Sequence, residues 1–165
     1  MLDLTYHDCT PDDFDPMMAL ASDWDVVRQL GRWKWPADPE QVRFYCKPYE
    51  GRGFLWTIKH GAEWAGRIGI TGGDIGYTLP RSVHGRGIAT QAATYAINHH
   101  FATTDDHVIT GSTWNDNAAS QHVLEKLGFK HWQTCYMRSV ARGYPVLVRQ
   151  NKLTRQDWEA GPLAS

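Results

Sequence analysis

The stretch from residue 75 to residue 90 constrains the fold of this chain more than any other. It begins as a strand over residues 75–79, passes a short loop that contains Gly85 and Gly87, and continues directly into a helical pattern. The first turn of a helix has free backbone N–H groups and the positive end of the helix dipole, and glycines let an anion approach closely. Arg86 adds a positive charge beside them. We therefore predict a cradle for a phosphate group.

Two widespread phosphate-binding loops fit this stretch poorly. A P-loop requires Lys and then Ser or Thr after its last glycine, whereas Gly87 is followed by Ile88 and Ala89. A Rossmann fingerprint opens a parallel βαβ unit and has an acidic residue about twenty positions later, at the end of a strand. Here the loop follows a series of hairpins, and Asp105 and Asp106 lie in the loop before the next strand. A different fold has to supply this cradle.

Apolar periodicity on both sides of the cradle predicts the fold class. Period-two patterns predict strands over residues 4–7, 54–58, 64–70, 75–79, 108–112, 132–137 and 146–152. Helical spacing predicts helices over residues 12–30, from residue 39 onward, and over residues 88–101 and 117–127. Hairpins followed by β-α-β crossovers predict an α+β fold of three layers, in which helices cover both faces of a mixed, mostly antiparallel sheet.

Length, charge and composition exclude several classes of protein. The 165 residues fit a single domain over 1–165, and the net charge of −1 gives no global field for nucleic acid or an acidic membrane. No apolar run approaches the length of a membrane span, and the first residues lack the apolar core of a signal peptide. The three cysteines form no C-x-x-C pair, which is typical of a reduced protein. We therefore expect a cytoplasmic protein without nucleic-acid or membrane partners.

The eight histidines do not predict a metal site. The densest group is His99, His100 and His107, but no H-x-x-x-H or H-E-x-x-H spacing is present. Adjacent histidines on a helix point about 100° apart and do not easily share one ion. We expect no metal.

Two motifs resemble those of a known family. Residues 84–89, His-Gly-Arg-Gly-Ile-Ala, resemble the acetyl-coenzyme A motif Gln/Arg-x-x-Gly-x-Gly/Ala of GNAT N-acetyltransferases. Residues 117–129, NAASQHVLEKLGF, resemble a second signature, Asn-x-x-Ser-x-x-(apolar)₂-x-Lys-x-Gly-Phe, of the RimJ/RimL branch, which acetylates protein N-terminal amines. His84 departs from the first motif, and it makes the charge of the pocket sensitive to pH.

The resemblance implies the GNAT fold, acetyl-coenzyme A as the acetyl donor, and a primary amine as the acceptor. It implies that the fourth strand splays from the fifth to admit the pantetheine arm, with an oxyanion donor at the backbone of Tyr77 or Thr78. Gly76 is compatible with a local bulge in that strand. The coenzyme-binding residues that it implies are Tyr77, Thr78, Leu79, His84, Gly85, Arg86, Gly87, Ile88, Ala89, Thr90, Asn117, Ser120 and Lys126.

The same resemblance suggests the catalytic groups. Many GNAT enzymes carry a tyrosine acid where this chain has Leu124, and in the RimJ/RimL branch a serine at the position of Ser120 is a candidate proton donor to the departing thiolate. Ser120 also fits the third position of a helix capped by Asn117. Asp74 is favoured over Glu63 as the general base, although Asp74 fits ordinary turn capping equally well.

The acceptor is expected opposite the coenzyme, between the first helices and the final hairpin. Trp33, Trp35 and Tyr136 are its predicted contacts, and the scarcity of acids favours a neutral or peptide-like amine over a polycation. A tryptophan-rich composition leaves room for a homodimer. Two alternatives stay open, which are a catalytically silent acetyl-coenzyme A-binding module and a different nucleotide-binding enzyme such as an oxidoreductase.

Overall fold

The computed structural model describes residues 2–161, which form a seven-stranded sheet flanked by helices. Its strands are β1 (Leu4–Asp8), β2 (Gly53–His60), β3 (Glu63–Thr71), β4 (Asp74–Thr78), β5 (Val108–Trp114), β6 (Lys130–Arg138) and β7 (Pro145–Thr154). Its helices are α1 (Phe14–Ala21), α2 (Trp24–Val27), α3 (Pro39–Tyr45), α4 (Ile88–Thr103), α5 (Ala118–Lys126) and α6 (Arg155–Glu159), with 3₁₀ turns at Pro11–Asp13 and Arg81–Val83. No helix in this described part of the chain has the length and apolarity to cross a membrane.

The strands lie in the order β1-β2-β3-β4-β5-β7-β6. Neighbouring strands are antiparallel except for β4 and β5, which run parallel on either side of the α4 crossover. The predicted fold class, a mixed and mostly antiparallel sheet between helical layers, is therefore confirmed.

Each face of the sheet buries its own apolar cluster. On one face, α4 and α5 cover the larger cluster, which includes Ile75 of β4, Leu79 just after it, Ala92 of α4 and Leu124 of α5. On the other face, α1, α2 and α3 enclose a smaller cluster built around Met17. Since successive strand residues point to opposite faces, Ile75, Tyr77 and Leu79 face α4 and α5, whereas residues 74, 76 and 78 face α1–α3.

The predicted helix over residues 12–30 is wrong as a continuous element. Ser22 Oγ donates to the Met18 carbonyl, and Asp23 has extended backbone and accepts from the Asp25 N–H as the cap of α2. Short polar side chains compete with the helix for backbone hydrogen bonds, so the apolar spacing continues while the helix stops and restarts. The helix α6 was not predicted, because its five residues are too few for a periodic signal.

Candidate active site

An open slot separates the far ends of β4 and β5. The two strands pair only at Asp74 with Thr110 and at Ile75 with Gly111, after which they diverge. Beyond that point β4 still pairs with β3, and β5 still pairs with β7, so each strand is held on its outer side alone. The predicted splaying of the two strands is thus present, and it leaves two strand edges facing each other across the slot.

The predicted bulge at Gly76 is not present. The ladder between β3 and β4 runs without a shift from Thr71–Asp74 to Arg67–Thr78, and Gly76 stays opposite Gly69. A register shift occurs instead between β2 and β3, at Ile58 and Lys59. The slot therefore opens because β5 turns away from a regular β4.

One backbone amide of β4 points into the slot. In antiparallel strands the N–H and C=O groups of alternate residues point to opposite edges. The Gly73 carbonyl accepts from the Thr110 N–H of β5, so Ile75 and Tyr77 share that edge, while Thr78 faces β3. This alternation places the N–H of Tyr77, rather than that of Thr78, on the edge that faces the slot.

The glycine turn at the mouth of the slot has open backbone. Gly85 and Gly87 have φ of +73° and +78°, and a Cβ built on either residue meets nothing within 4 Å. Gly87 caps α4 without a side-chain hydrogen bond, and the first helical bond runs from the Gln91 N–H to the Gly87 carbonyl. In the described part of the chain, no acceptor outside α4 takes a hydrogen bond from the backbone amides of residues 85–90. This turn fits a diphosphate, which would meet free N–H groups at the positive end of a sixteen-residue helix.

The side chains of the motif divide between the core and the solvent. Ile88 and Leu79 are buried in the larger cluster, so only their backbone is available to a coenzyme. His84 Nε2 donates to the Leu79 carbonyl at 3.0 Å, which holds the imidazole against the end of β4. Arg86 is exposed, and Lys126 lies in the exposed last turn of α5, away from Ser120 in the first turn.

Ser120 lies beside the slot and contacts Tyr77 across it. The Tyr77 phenol oxygen is 2.8 Å from Ser120 Oγ, and the phenol also donates to the Ser120 carbonyl at 3.2 Å. The Asn117 side chain accepts from the Ser120 N–H, which confirms it as the cap of α5. Burial raises the pKa of Tyr77 to about 12, against an opposing effect of the Ser120 hydrogen bond. The phenol is therefore neutral at ordinary pH, and its single hydrogen can serve either the hydroxyl or the carbonyl of Ser120.

The contact between Tyr77 and Ser120 was not predicted, and neither was a neighbouring hydroxyl. Thr113 is buried on β5, at the register position opposite Tyr77 where the slot is open, and its Oγ1 lacks a hydrogen-bond partner among the described atoms. No local signal marks these pairs, because the side chains come from strands and a helix about forty residues apart.

Asp74 lies at the closed end of the slot, on the face of α1–α3. Its Oδ1 accepts from Thr110 Oγ1 at 2.7 Å across the parallel pair. The residue is at the exposed start of β4, yet neighbouring protein atoms displace enough water to raise the pKa of its carboxyl, while Thr110 and Arg32 act to lower it. Glu63, the weaker candidate, is exposed at the far end of β3.

The hairpin loop between β6 and β7 closes over the face of α1–α3. Arg142 in this loop donates to the Arg28 carbonyl, to Gln29 Oε1 and to both carboxylate oxygens of Asp116, at 2.8–3.2 Å. The Val140 N–H also donates to the Gly31 carbonyl. The segment after α2 and the final hairpin thus meet on this face.

The three predicted acceptor contacts do not come together. Trp33 is only 9% exposed, belongs to the smaller cluster and packs on Tyr45 with ring centroids 5.1 Å apart. Trp35 is exposed and packs against Trp24, and Tyr136 is 72% exposed on the edge strand β6. Trp33 is therefore mainly a core residue, whereas Trp35 and Tyr136 stay untested predictions.

Residues 2–161 contain no group of three or more His, Cys, Asp or Glu side chains placed to hold a metal ion together. His100 is buried with Nε2 3.0 Å from Asp106 Oδ2, and His99 instead packs edge-on against Phe54.

Comparison with known proteins identifies the family. Residues 3–130 match the model of the acetyltransferase (GNAT) domain. No curated protein matches the chain in a sequence search. RimL, a ribosomal L7/L12 alpha-N-protein acetyltransferase solved with coenzyme A, superimposes with a TM-score of 0.77 at 18% identity, over 92% of this chain and 94% of its own. RimJ of Mycobacterium smegmatis, solved with a coenzyme A disulfide, gives 0.76 at 17% identity over 93% and 83%.

A third similar structure is that of an enzyme named for a different amine. Spermidine N-acetyltransferase from Vibrio cholerae, solved with coenzyme A and spermine, superimposes with a TM-score of 0.76 at 13% identity, over 95% of this chain and 98% of its own. At such identities the superpositions establish the shared fold, and the matched domain model establishes the family. The chain belongs to the GNAT acetyltransferases.

Proposed function

We propose that this acetyltransferase moves an acetyl group from acetyl-coenzyme A to a primary amine by direct attack within a ternary complex. The observation that carries the proposal is the open slot between β4 and β5 together with the uncapped glycine turn of residues 85–90. A pantetheine arm has amide groups that can pair with the two free strand edges, and its diphosphate then reaches the turn.

Three groups of the chain supply the chemistry. The Tyr77 N–H donates to the thioester oxygen as negative charge develops there. Ser120 donates a proton or a hydrogen bond to the departing thiolate, and the Tyr77 phenol holds the Ser120 hydroxyl in place. Asp74, through water, accepts the proton that the attacking amine loses. An α-amino group, with an ordinary pKa near 8, needs little more than this to become neutral.

The acceptor class in this proposal is a protein N-terminal amine or a small amine. The signature at residues 117–129 supports the RimJ/RimL branch, and the aromatic groups near the hairpin support an uncharged or peptide-like partner. A cytoplasmic location and a homodimer through the exposed β6 edge are part of the same proposal.

Two measurements test it together. Calorimetric titration with acetyl-coenzyme A, a nicotinamide dinucleotide and a flavin should give binding of the first alone. A thiol-release screen over peptides, polyamines and amino acids should then give turnover with at least one amine. Acetyl-coenzyme A binding without thiol release from any amine would favour a silent regulatory module, and binding of another cofactor would refute the proposal.

A further inference from the structure

Arg67 is a mostly buried cation that has no hydrogen-bond or ion-pair partner among residues 2–161. It lies in the middle of β3, is 7% exposed, and its Nε has no hydrogen-bond acceptor. No carboxylate in residues 2–161 lies within ion-pair distance of its guanidinium. The other deeply buried guanidinium, that of Arg142, is in contrast bound by Asp116, by Gln29 and by a carbonyl.

An unpaired buried guanidinium destabilises a fold. Arginine stays charged at all ordinary pH values, so it cannot escape the cost of desolvation by losing its proton. Buried charges are therefore normally paired or fully hydrogen-bonded. A charge that the fold leaves without a partner is a candidate for pairing with a ligand.

Arg67 lies on the face of the sheet where the acceptor is expected. Its guanidinium carbon is 5.7 Å from the centroid of the Tyr45 ring, which packs in turn on Trp33. Its positive charge also acts to lower the pKa of the Cys46 thiol, although burial raises that pKa to about 11. The carboxylate of Asp13, which also acts on the Cys46 thiol, accepts through Oδ2 from the Thr10 N–H and from Thr57 Oγ1.

Arg67 is also close to the proposed reaction centre. It pairs across the ladder with Thr78, the residue next to Tyr77 whose N–H points into the slot. Opposite residues in an antiparallel ladder have Cα atoms about 5 Å apart. The guanidinium therefore lies one strand from the slot, on the side from which an amine would approach.

We propose that Arg67 binds a carboxylate of the acceptor and so selects amines that also carry an acidic group. This inference rests on the proposed function, because it names the substrate class of the same site. A carboxylate matches the planar guanidinium in two parallel hydrogen bonds, and Tyr45 limits the access of water to them. A polyamine would place a second positive charge beside Arg67, so such acceptors are disfavoured.

Paired acceptors that differ only in the carboxylate test the inference. In one arm, free amino acids are compared with their α-amides, which probes an α-carboxylate. In the other arm, C-terminally blocked tripeptides that begin with Asp or Glu are compared with those that begin with Asn or Gln. We expect kcat/KM to be about 10- to 100-fold higher for the carboxylate member in one of the arms.

The Arg67→Gln variant should abolish that preference and leave acetyl-coenzyme A affinity unchanged. Arg67→Lys should keep part of the preference for carboxylate acceptors, because lysine keeps the positive charge but cannot form two parallel hydrogen bonds to a carboxylate. Arg43→Gln, which removes an exposed arginine on α3 that pairs with Glu40, is the matched control and should behave as the wild type. Binding of the same probes to the enzyme saturated with coenzyme A gives a readout that does not require turnover.

Thermal stability separates this role from a structural one. Removing a buried charge that lacks a partner should leave the melting temperature of Arg67→Gln unchanged or raise it, whereas a structural ion pair would lower it. Equal rates for both members of every pair, a preference that survives Arg67→Gln, or no binding of any probe would overturn the inference. If the wild-type protein does not bind acetyl-coenzyme A, the proposed function itself is refuted.

Discussion

Replacing Gly87 with alanine tests whether the glycine turn is a ligand site or only a bend in the chain. The added methyl group meets no protein atom within 4 Å, so its effect on the free protein comes only from the backbone. Holding alanine at a φ of +78° costs about 1–2 kcal/mol of the free energy of unfolding. Gly61 is a matched control, because it has a φ of +58° in the hairpin between β2 and β3 and is equally free of contacts.

The two variants should differ in coenzyme affinity rather than in stability. A methyl group at Gly87 projects from the turn that would hold the diphosphate, and it prevents close approach to at least one amide. A hydrogen bond to a charged group contributes about 1.5–3 kcal/mol, so losing one weakens binding of acetyl-coenzyme A by about 10- to 150-fold. Gly61→Ala should lose comparable stability and bind the coenzyme as the wild type does.

Denaturant melts of the free proteins and calorimetric titration with acetyl-coenzyme A measure both quantities. In thermal melts, saturating coenzyme should stabilise Gly61→Ala as much as the wild type and Gly87→Ala much less, since ligand stabilisation depends on concentration relative to Kd. If both variants lose the same stability and keep the same coenzyme affinity, the turn is structural and the reasoning is refuted.

Three further predictions concern the slot, the hairpin and a buried histidine. Ser120→Ala should lower kcat about 100-fold or more and Tyr77→Phe about 2- to 10-fold, with acetyl-coenzyme A affinity unchanged in both; equal effects on affinity and kcat would contradict their roles. Arg142→Met should lower the free energy of unfolding by about 1–3 kcal/mol in urea melts, since it leaves Asp116 with Arg28 alone and removes the side-chain donor to the Arg28 carbonyl; a loss below 0.5 kcal/mol would contradict this. Burial lowers the pKa of His100, so the free energy of unfolding should fall as the pH drops below about 6.5, where only the unfolded chain takes up the proton; a His100→Leu variant with the same pH slope would refute it.

The sheet and the glycine turn before α4 could be predicted because their signals are local. Alternating apolar residues mark the strands, Gly61 and the pair Gly72-Gly73 mark the turns of the β2–β4 meander, and the glycines after residue 84 mark the turn before α4. The helix boundaries near Ser22 were not predictable from periodicity, since the apolar spacing continues through the point where Ser22 and Asp23 take the backbone hydrogen bonds.

The chemistry of the site was less accessible from sequence because it depends on contacts between distant segments. The hydroxyl pair of Tyr77 and Ser120 joins a strand to a helix, and only the folded sheet reveals which edge the Tyr77 amide faces. Trp33 is an aromatic residue of the kind that often contacts a ligand, but its burial assigns it to the core. Arg67 did carry a signal, since a lone arginine interrupts an otherwise apolar strand segment, WAGRIGI.

An experimental structure of the protein with acetyl-coenzyme A tests the account most directly. We predict that the diphosphate oxygens lie within hydrogen-bond distance of the amides of residues 85–90, with the pantetheine arm between β4 and β5. Coenzyme bound elsewhere on the protein, with those amides left in contact with solvent, would contradict the assignment of the glycine turn and the function built on it.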